Sequence, residues 1–301
     1  MTLPENHASL IVQGKDRAGI VAAVASVLAG AGANIVSLDQ YSDDPRGGDF
    51  FQRTVFSLGN LKAVLPELDK ELRKRLEEEF TLEFTLRDMS VPKRVAIFAS
   101  KSDHCLLDLL WRHRHGELPL AVSMVISNHP DAATEVRNFG IPFFHVPSAG
   151  PDPAGGSGGS SPRASRAAAE AEHLRLLQGN VDLVVLARYM QILSGDFITK
   201  VGVPIINIHH SFLPAFIGAG PYAKAKERGV KLIGATAHYV TEDLDEGPII
   251  EQDVVRVTHA DTVADLQRRG ADVERIVLSR AVKWHSEDRV IRNGNHTIVF
   301  T

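Results

Sequence analysis

The side chains best suited to chemistry lie in two short stretches, one from Asn207 to Pro214 and one around Asp245. Asn207 and His209 end an apolar, strand-like segment, and Asp245 follows a second such segment in a loop that contains Gly247. An amide, an imidazole and a carboxylate can together polarise a carbonyl group, stabilise the oxyanion formed by attack on it, and move a proton. Asn207, His209 and Asp245 are therefore the candidate catalytic residues.

Each candidate has a plainer interpretation when it is taken alone. Asn and His side chains commonly satisfy buried backbone groups, and Asp245 could cap a turn with Gly247. His210 and His238 are expected to have supporting or structural roles. The ordered combination is much harder to explain by packing, so the functional interpretation is favoured for the three candidates.

The wider sequence resembles the enzymes that handle the formyl group of 10-formyltetrahydrofolate, and in particular the formyltetrahydrofolate deformylase branch. The motifs that carry this resemblance are Asn207-x-His209, Gly-Ala-Thr-Ala-His-Tyr-Val at 234–240, Asp245 and Pro248-Ile249-Ile250, within a match from about Lys93 to Phe300. The resemblance implies hydrolysis of the folate substrate to formate and tetrahydrofolate, in one-carbon metabolism and purine biosynthesis. It implies neither a separate cofactor nor a metal ion.

A second part of the resemblance concerns the segment from Leu186 to Leu193. In this superfamily the matching loop lines the pterin pocket, which indicates where the folate would bind. The substrate-binding residues implied in this way are Arg188, Tyr189, Met190, Ile192, Leu193, Val240 and Leu244. The apolar members of this set could equally be ordinary core residues.

Short apolar runs alternate with helical stretches after about residue 90, which predicts a Rossmann-like, mostly parallel sheet with helices on both faces. Five strands are predicted, at Val95–Ala99, Val122–Ser127, Phe143–Val146, Val181–Ala187 and Ile205–Ile208. Ligands bind beyond the carboxyl ends of such strands, and a right-handed crossover is expected to bring the loops of His209 and Asp245 to one rim. Ala149–Ser165, rich in Gly and Ser, is expected to be a flexible insertion.

The first ninety residues follow a βαββαβ order, which predicts a ferredoxin-like domain. Gly14-Lys15-Asp16-Arg17-Ala18-Gly19 and Gly32-Ala33-Asn34 resemble the ACT domain. That resemblance implies an amino-acid effector, with Asp16, Arg17, Gly19 and Asn34 as candidate contacts, and a homo-oligomer formed through these domains. The expected division is thus an ACT domain at 1–90 and a formyltransferase-like catalytic domain at 91–301.

Composition narrows the possible partners. The charge is nearly balanced, with 33 basic and 37 acidic residues, and no basic stripe interleaved with aromatic residues points to nucleic acid. The single cysteine, Cys105, excludes a disulfide framework and is expected to be a buried thiol. No apolar run reaches the length of a membrane span, so a cytoplasmic protein without a membrane partner is expected.

Three functions remain open at this point. In the purine-pathway transferases a glycine-rich loop cradles the phosphate of the acceptor, whereas Ala99–Cys105 has no glycine and contains Asp103. Water is therefore the expected nucleophile, and hydrolysis is preferred. The alternatives are formyl transfer to an unphosphorylated amine and a non-catalytic folate or amino-acid sensor. Gly220 and Ala223 depart from the residues common in the deformylase branch, including a histidine at 223.

Overall fold

The computed structural model describes residues 5–148, 162–214 and 220–301, which form two compact units. The first unit comprises the chain up to Pro92 together with Glu287–Asn293 and Ile298–Thr301, and the second comprises Lys93–Ser286 and Gly294–Thr297. The division after Pro92 lies close to the expected boundary, but the last residues of the chain group with the first unit rather than with 91–301.

The first unit has the predicted ferredoxin-like order. Its elements are β1 (His7–Lys15), α1 (Ile20–Gly30), β2 (Asn34–Ser42), β3 (Asp49–Ser57), α2 (Leu61–Leu72), which continues as a π-helical stretch (Arg73–Glu78), and β4 (Glu83–Asp88). The antiparallel sheet has the order β2-β3-β1-β4. Buried apolar side chains of the helices pack on one face of this sheet, including those of Ile20, Val24, Leu68 and Leu72.

The C-terminal residues join this unit through a buried cation. Arg53 of β3 is 5% exposed. Its Nη2 donates to the carbonyl oxygen of Glu287 at 2.9 Å, and its Nε donates to that of Asp288 at 3.1 Å. A buried guanidinium is stable only when its donors are satisfied, so this pairing accounts for the departure from the expected domain division.

The second unit is built on a seven-stranded sheet. Its strands are β5 (Lys93–Ala99), β6 (Leu120–Ser127), β7 (Phe143–His145), β8 (Leu183–Ala187), β9 (Ile205–His209), β10 (Leu232–Tyr239) and β11 (Ile249–Arg256), in the order β11-β10-β9-β8-β5-β6-β7. The five strands from β5 to β9 are parallel, as their continuous apolar sequences predict. β12 (Val290–Asn293) and β13 (His296–Val299) form a separate two-stranded sheet.

Strand β10 runs antiparallel to β9, and β11 antiparallel to β10. The expected right-handed crossover between the strands of His209 and His238 was therefore wrong. Since the carboxyl ends of antiparallel neighbours point to opposite edges of a sheet, the loop after β10 must fold back for Asp245 to approach His209.

Six helices accompany this sheet: α3 (His104–Arg114), α4 (Ala133–Asn138), α5 (Pro162–Leu177), α6 (Gly195–Val201), α7 (Pro221–Arg228) and α8 (Val263–Ser286). Helices α6 and α8 were not among the predicted elements. The expected insertion at 149–165 lies mostly outside the described residues, and α5 begins at Pro162 within it. None of the described helices combines the length and apolar character that crossing a bilayer requires.

Candidate active site

Three polar side chains meet on one face of the β9–β10 pair. Asn207 and His209 are two residues apart on β9, so they point to the same side of the sheet. His238 is the direct cross-strand partner of Asn207. The Nδ2 atom of Asn207 lies 3.2 Å from Nε2 of His238, whose Nδ1 donates to the carbonyl oxygen of Tyr239 at 2.9 Å. His238, expected only to support the site, thus contacts a candidate catalytic residue directly.

Asp245 reaches this face because the loop between β10 and β11 is tightly folded. The loop is closed by a hydrogen bond from the Tyr239 amide to the carbonyl oxygen of Pro248, at 2.9 Å. Gly247 packs so close to the Tyr239 carbonyl oxygen that a Cβ atom there would overlap it. Asp245 itself has a left-handed backbone (φ 59°), which Asp tolerates better than most residues.

The loop places the carboxylate of Asp245 between two imidazoles. One oxygen lies 3.2 Å from Nδ1 of His209, and the other lies 3.7 Å from Nε2 of His238. The hydrogen bond from His209 and then the nearby ring of His238 hold the pKa of Asp245 well below its usual range, although burial opposes this shift. Burial together with the charge of Arg188 lowers the pKa of the neighbouring His210 to about 4, so that ring is neutral near pH 7.

A cavity of about 410 Å³ opens in front of these residues. All three candidate catalytic residues line it, and so do all seven residues implied as substrate-binding: Arg188, Tyr189, Met190, Ile192, Leu193, Val240 and Leu244. Three of these side chains are large, apolar and more than half exposed, namely Met190 (57%), Ile192 (59%) and Leu244 (60%). Apolar side chains left open around a cavity are typical of a ligand site.

Tyr189 differs from the rest of the set, because its ring belongs mainly to the core. It is 7% exposed and meets Phe98 edge to face, with ring centroids 5.2 Å apart. Gly220 lines the cavity, whereas Ala223 is exposed on the first turn of α7. Of the two departures from the deformylase branch, only the one at Gly220 therefore borders the described cavity.

The sequence reasoning missed a buried carboxylate next to the cavity. Glu274 of α8, with a side chain 2% exposed, accepts hydrogen bonds from Tyr222 and His104, both at 2.8 Å. The Nε atom of Arg188 lies 3.4 Å from the same carboxylate. Glu274 lies in register with Val277, Leu278 and Ala281 on the buried face of its helix. A charged residue within such an apolar stripe is a sequence signal that could have revealed it.

His104, Cys105 and Glu274 also place three potential metal ligands near one another. The oxygens of Glu274 already accept the hydrogen bonds of His104 and Tyr222. Burial raises the pKa of the Cys105 thiol well above its usual value, which disfavours the thiolate that binds metals. The group is therefore better described as a hydrogen-bonded ion cluster than as a metal centre, and Cys105 is buried as expected.

The four candidate effector residues do not form one cluster within the chain. Asp16 accepts a hydrogen bond from the Ser42 hydroxyl, and the Arg17 guanidinium stacks 4.2 Å above the ring of Phe80. Gly19 (φ 96°) directly precedes α1. Asn34 lies at the other end of the sheet, because it pairs with Ser57.

The register gives the size of this separation. Ser57 pairs with His7 at the start of β1, whereas Asp16 follows the end of that strand. Eight residues of β-strand span roughly 26 Å, so within one chain Asn34 lies far from Asp16, Arg17 and Gly19, and effector binding by the four residues stays a prediction. Homo-oligomer formation stays a prediction. The edge strand β2 exposes Val36, Leu38 and Tyr41.

Asp245→Asn is expected to change how acid affects stability. Because folding lowers the pKa of Asp245, the ionised form stabilises the folded state above the pKa of an unfolded Asp, and that contribution is lost as the pH falls through the folded-state value. Asn accepts the left-handed backbone of this position, so the variant removes charge without adding strain.

We expect the free energy of unfolding of the wild type to exceed that of the variant by about 1–3 kcal/mol near neutral pH. The difference should shrink below about pH 4. Urea unfolding followed across this pH range measures it, with Asp131→Asn, at an exposed position, as the control. A difference independent of pH would contradict the assigned electrostatics.

Two family models match separate parts of the chain. A formyl transferase family model matches residues 93–282, and an ACT domain model matches residues 8–73. The chain is 60% identical to the formyltetrahydrofolate deformylase of Mycobacterium tuberculosis (strain ATCC 25618 / H37Rv) over 291 residues, covering 97% of this chain and 90% of the relative. It is 49% identical to that of Bacillus subtilis (strain 168) over 297 residues, covering 98% and 94%.

Solved structures agree with these relatives. A formyltetrahydrofolate deformylase from Pseudomonas syringae superposes with a TM-score of 0.87 at 42% identity, covering 99% of this chain and 95% of that one. A glycinamide ribonucleotide transformylase from Symbiobacterium toebii superposes with a TM-score of 0.60 at 35% identity, covering 70% of this chain and 95% of that one. With its ACT unit and its formyl transferase unit, the chain belongs to the formyltetrahydrofolate deformylase family.

Proposed function

We propose that this protein hydrolyses 10-formyltetrahydrofolate to formate and tetrahydrofolate. The observation that carries the proposal is the pairing of Asp245 with His209, beside Asn207, in the wall of a largely apolar cavity. Family membership supports the same reaction, since the relatives from Mycobacterium tuberculosis and Bacillus subtilis are named formyltetrahydrofolate deformylase.

The apolar part of the cavity would bind the bicyclic pterin of the folate. Met190, Ile192 and Leu244 expose large apolar side chains whose burial by a ligand is favourable, at about 25 cal/mol per Å². Arg188, Tyr189, Leu193 and Val240 complete the substrate-binding set. A site that holds the folate beside Asn207 and His209 presents the formyl carbon to both.

Asn207 and His209 would stabilise the oxyanion formed when water attacks the formyl carbon. Because Nδ1 of His209 faces the carboxylate of Asp245, which can only accept, this nitrogen carries a proton. The Nε2 atom of the same ring is buried and has no hydrogen-bond partner among the residues that the structure describes. A protonated His209 can therefore donate from Nε2 to the oxyanion, while Asp245 neutralises the charge of the ring.

Asp245 would assist the movement of the proton from the attacking water. Its lowered pKa keeps the carboxylate ionised at neutral pH, so it can accept a hydrogen bond from the attacking water and orient it, with the proton passing through Asp245 only transiently. Because the Asp245 carboxylate has a low affinity for protons, a proton that it accepts does not remain on it. This favours onward transfer of the proton to the leaving nitrogen. In balance, the carbon–nitrogen bond breaks, water supplies one oxygen of formate, one proton of the water reaches the leaving nitrogen, and the other is released to solvent when formic acid ionises to formate.

Replacement of Asn207 or of Asp245 is expected to slow formate release strongly. Asn207→Ala should lower kcat by about 10²–10³-fold, the usual effect of losing one oxyanion donor, and Asp245→Asn should lower it at least comparably. Tetrahydrofolate production measured by absorbance, with binding of a non-reactive folate measured separately, tests this. Binding should persist in both variants, because neither residue belongs to the apolar part of the cavity.

Exposed residues far from the cavity provide matched controls. Asn138→Ala removes an amide from an exposed position at the end of α4, and Asp131→Asn removes a carboxylate from an exposed position just before α4. Both variants should keep full activity. Full activity of Asn207→Ala or Asp245→Asn would refute the assigned roles. Formate released in the absence of any amine identifies a hydrolase, whereas turnover that requires an added amine would establish a formyltransferase instead.

Ile192→Ser is expected to weaken folate binding with little effect on the chemical step. The Ile192 side chain is 59% exposed, so the substitution leaves no cavity in the core. Its loss should raise KM by about 5- to 30-fold, since burying such a side chain contributes about 1–2 kcal/mol, while kcat changes little. Val254→Ser, at an exposed position on β11 outside the cavity, is the control. An unchanged KM would remove Ile192 from the substrate site.

We also propose that the ACT unit binds a small amino-acid effector at the start of α1. The turn from Asp16 to Gly19 leads into an eleven-residue helix whose first amide groups have no side-chain cap, and such amides attract carboxylates. Hydrolysis rates measured with a panel of free amino acids should reveal an effect that Gly19→Val abolishes. A rate unaffected by every amino acid would contradict this role.

A further inference from the structure

Arg188, a member of the substrate-binding set, carries a positive charge that takes no part in the oxyanion stabilisation or the proton transfer proposed for Asn207, His209 and Asp245. It follows β8, and because Leu186 pairs with Asn207 in the parallel register, Arg188 lies level with His209 at the carboxyl end of the sheet. Its backbone is left-handed (φ 61°), a conformation that costs energy for a residue other than glycine. Such strain is concentrated at functional positions.

Glu274 fixes the position of this guanidinium. The Nε atom of Arg188 lies 3.4 Å from Oε2 of Glu274, and the carboxylate is held in turn by His104 and Tyr222. Burial opposes ionisation of Glu274, but the hydrogen bond from His104 and the charge of Arg188 outweigh it and lower its pKa. The cavity therefore has a buried and anchored cation next to the candidate catalytic residues.

The ion pair with Glu274 leaves hydrogen-bond donors of the Arg188 guanidinium without acceptors. Its Nη1 atom is buried without a hydrogen-bond acceptor among the described residues, and Nε makes no directed hydrogen bond. The Arg188 side chain is only 14% exposed, so water does not readily supply the missing partners. Since an unsatisfied buried donor is costly, the group is prepared for an acceptor that enters the cavity.

We propose that Arg188, positioned by Glu274, binds the formate anion that the reaction releases. This inference rests on the proposed hydrolysis, in which water forms the new carbon–oxygen bond and the carbon–nitrogen bond breaks. The product then carries two equivalent oxygens and one negative charge, which a planar guanidinium recognises with paired hydrogen bonds.

A purely structural role predicts something different. If Arg188 only neutralised Glu274, its replacement would lower stability without a specific loss of anion binding. Arg188→Lys separates the two roles, because lysine keeps a charge for Glu274 but lacks the planar fork. Arg175→Ala on α5 removes an exposed guanidinium and serves as the control.

Binding of ¹³C-labelled formate to the full-length protein, measured by NMR titration with and without tetrahydrofolate, tests the proposal. We expect Arg188→Lys and Arg188→Ala to bind formate about 10- to 100-fold more weakly than the wild type, the effect of losing charge-assisted hydrogen bonds. Arg175→Ala should bind formate like the wild type. Neutral formamide should distinguish the proteins far less than formate does.

Equal formate affinity in the wild type and Arg188→Lys would overturn the site, and so would a wild type that binds no formate. Arg188→Lys retains the ion pair, so the test does not depend on folding of the alanine variant. If the wild type shows no turnover but binds formate, and the Arg188 variants bind formate more weakly, the anion site stands and the proposed hydrolysis fails. Turnover with unaltered formate affinity overturns the anion site alone.

Discussion

The structure of the candidate active site depends on one constraint, the close approach of the Asp245 carboxylate, in the loop after β10, to His209 on the antiparallel neighbour β9. Strand β10 alone would carry the following residues away from His209. The folded loop, closed between Tyr239 and Pro248 and tightly packed at Gly247, reverses that direction. The carboxylate then lies between two imidazoles, and these two rings keep it ionised.

A second carboxylate, the buried Glu274, positions polar groups next to the cavity. It gathers a histidine, a tyrosine and an arginine from three other segments of the chain, and the arginine lines the cavity. Buried charges are stable only when they are paired. Each carboxylate therefore fixes the positions of the polar side chains around it, and these side chains hold one another in place at the wall of a largely apolar cavity.

Much of the fold followed from local patterns. The apolar runs of β5 to β9 predicted a buried parallel sheet, and the βαββαβ rhythm predicted the first unit. The antiparallel direction of β10 was not predictable, because strand direction depends on which edges pair and the loop lengths allowed either arrangement. The role of the C-terminal residues in the first unit was hidden for a similar reason, since it depends on the buried Arg53 and its backbone acceptors.

The sequence by itself determined the chemical identity of the site. Asn207, His209 and Asp245 could be selected because their types and order match a known carbonyl chemistry, and the apolar residues around Met190 could be selected through family resemblance. Only the tertiary structure decided which further residues lie beside the candidates, adding His238 and Glu274 and separating Asn34 from Asp16. The physical reason is that the sequence gives the type of each side chain directly, whereas the distance between two charges depends on strand pairing and loop geometry over the whole chain.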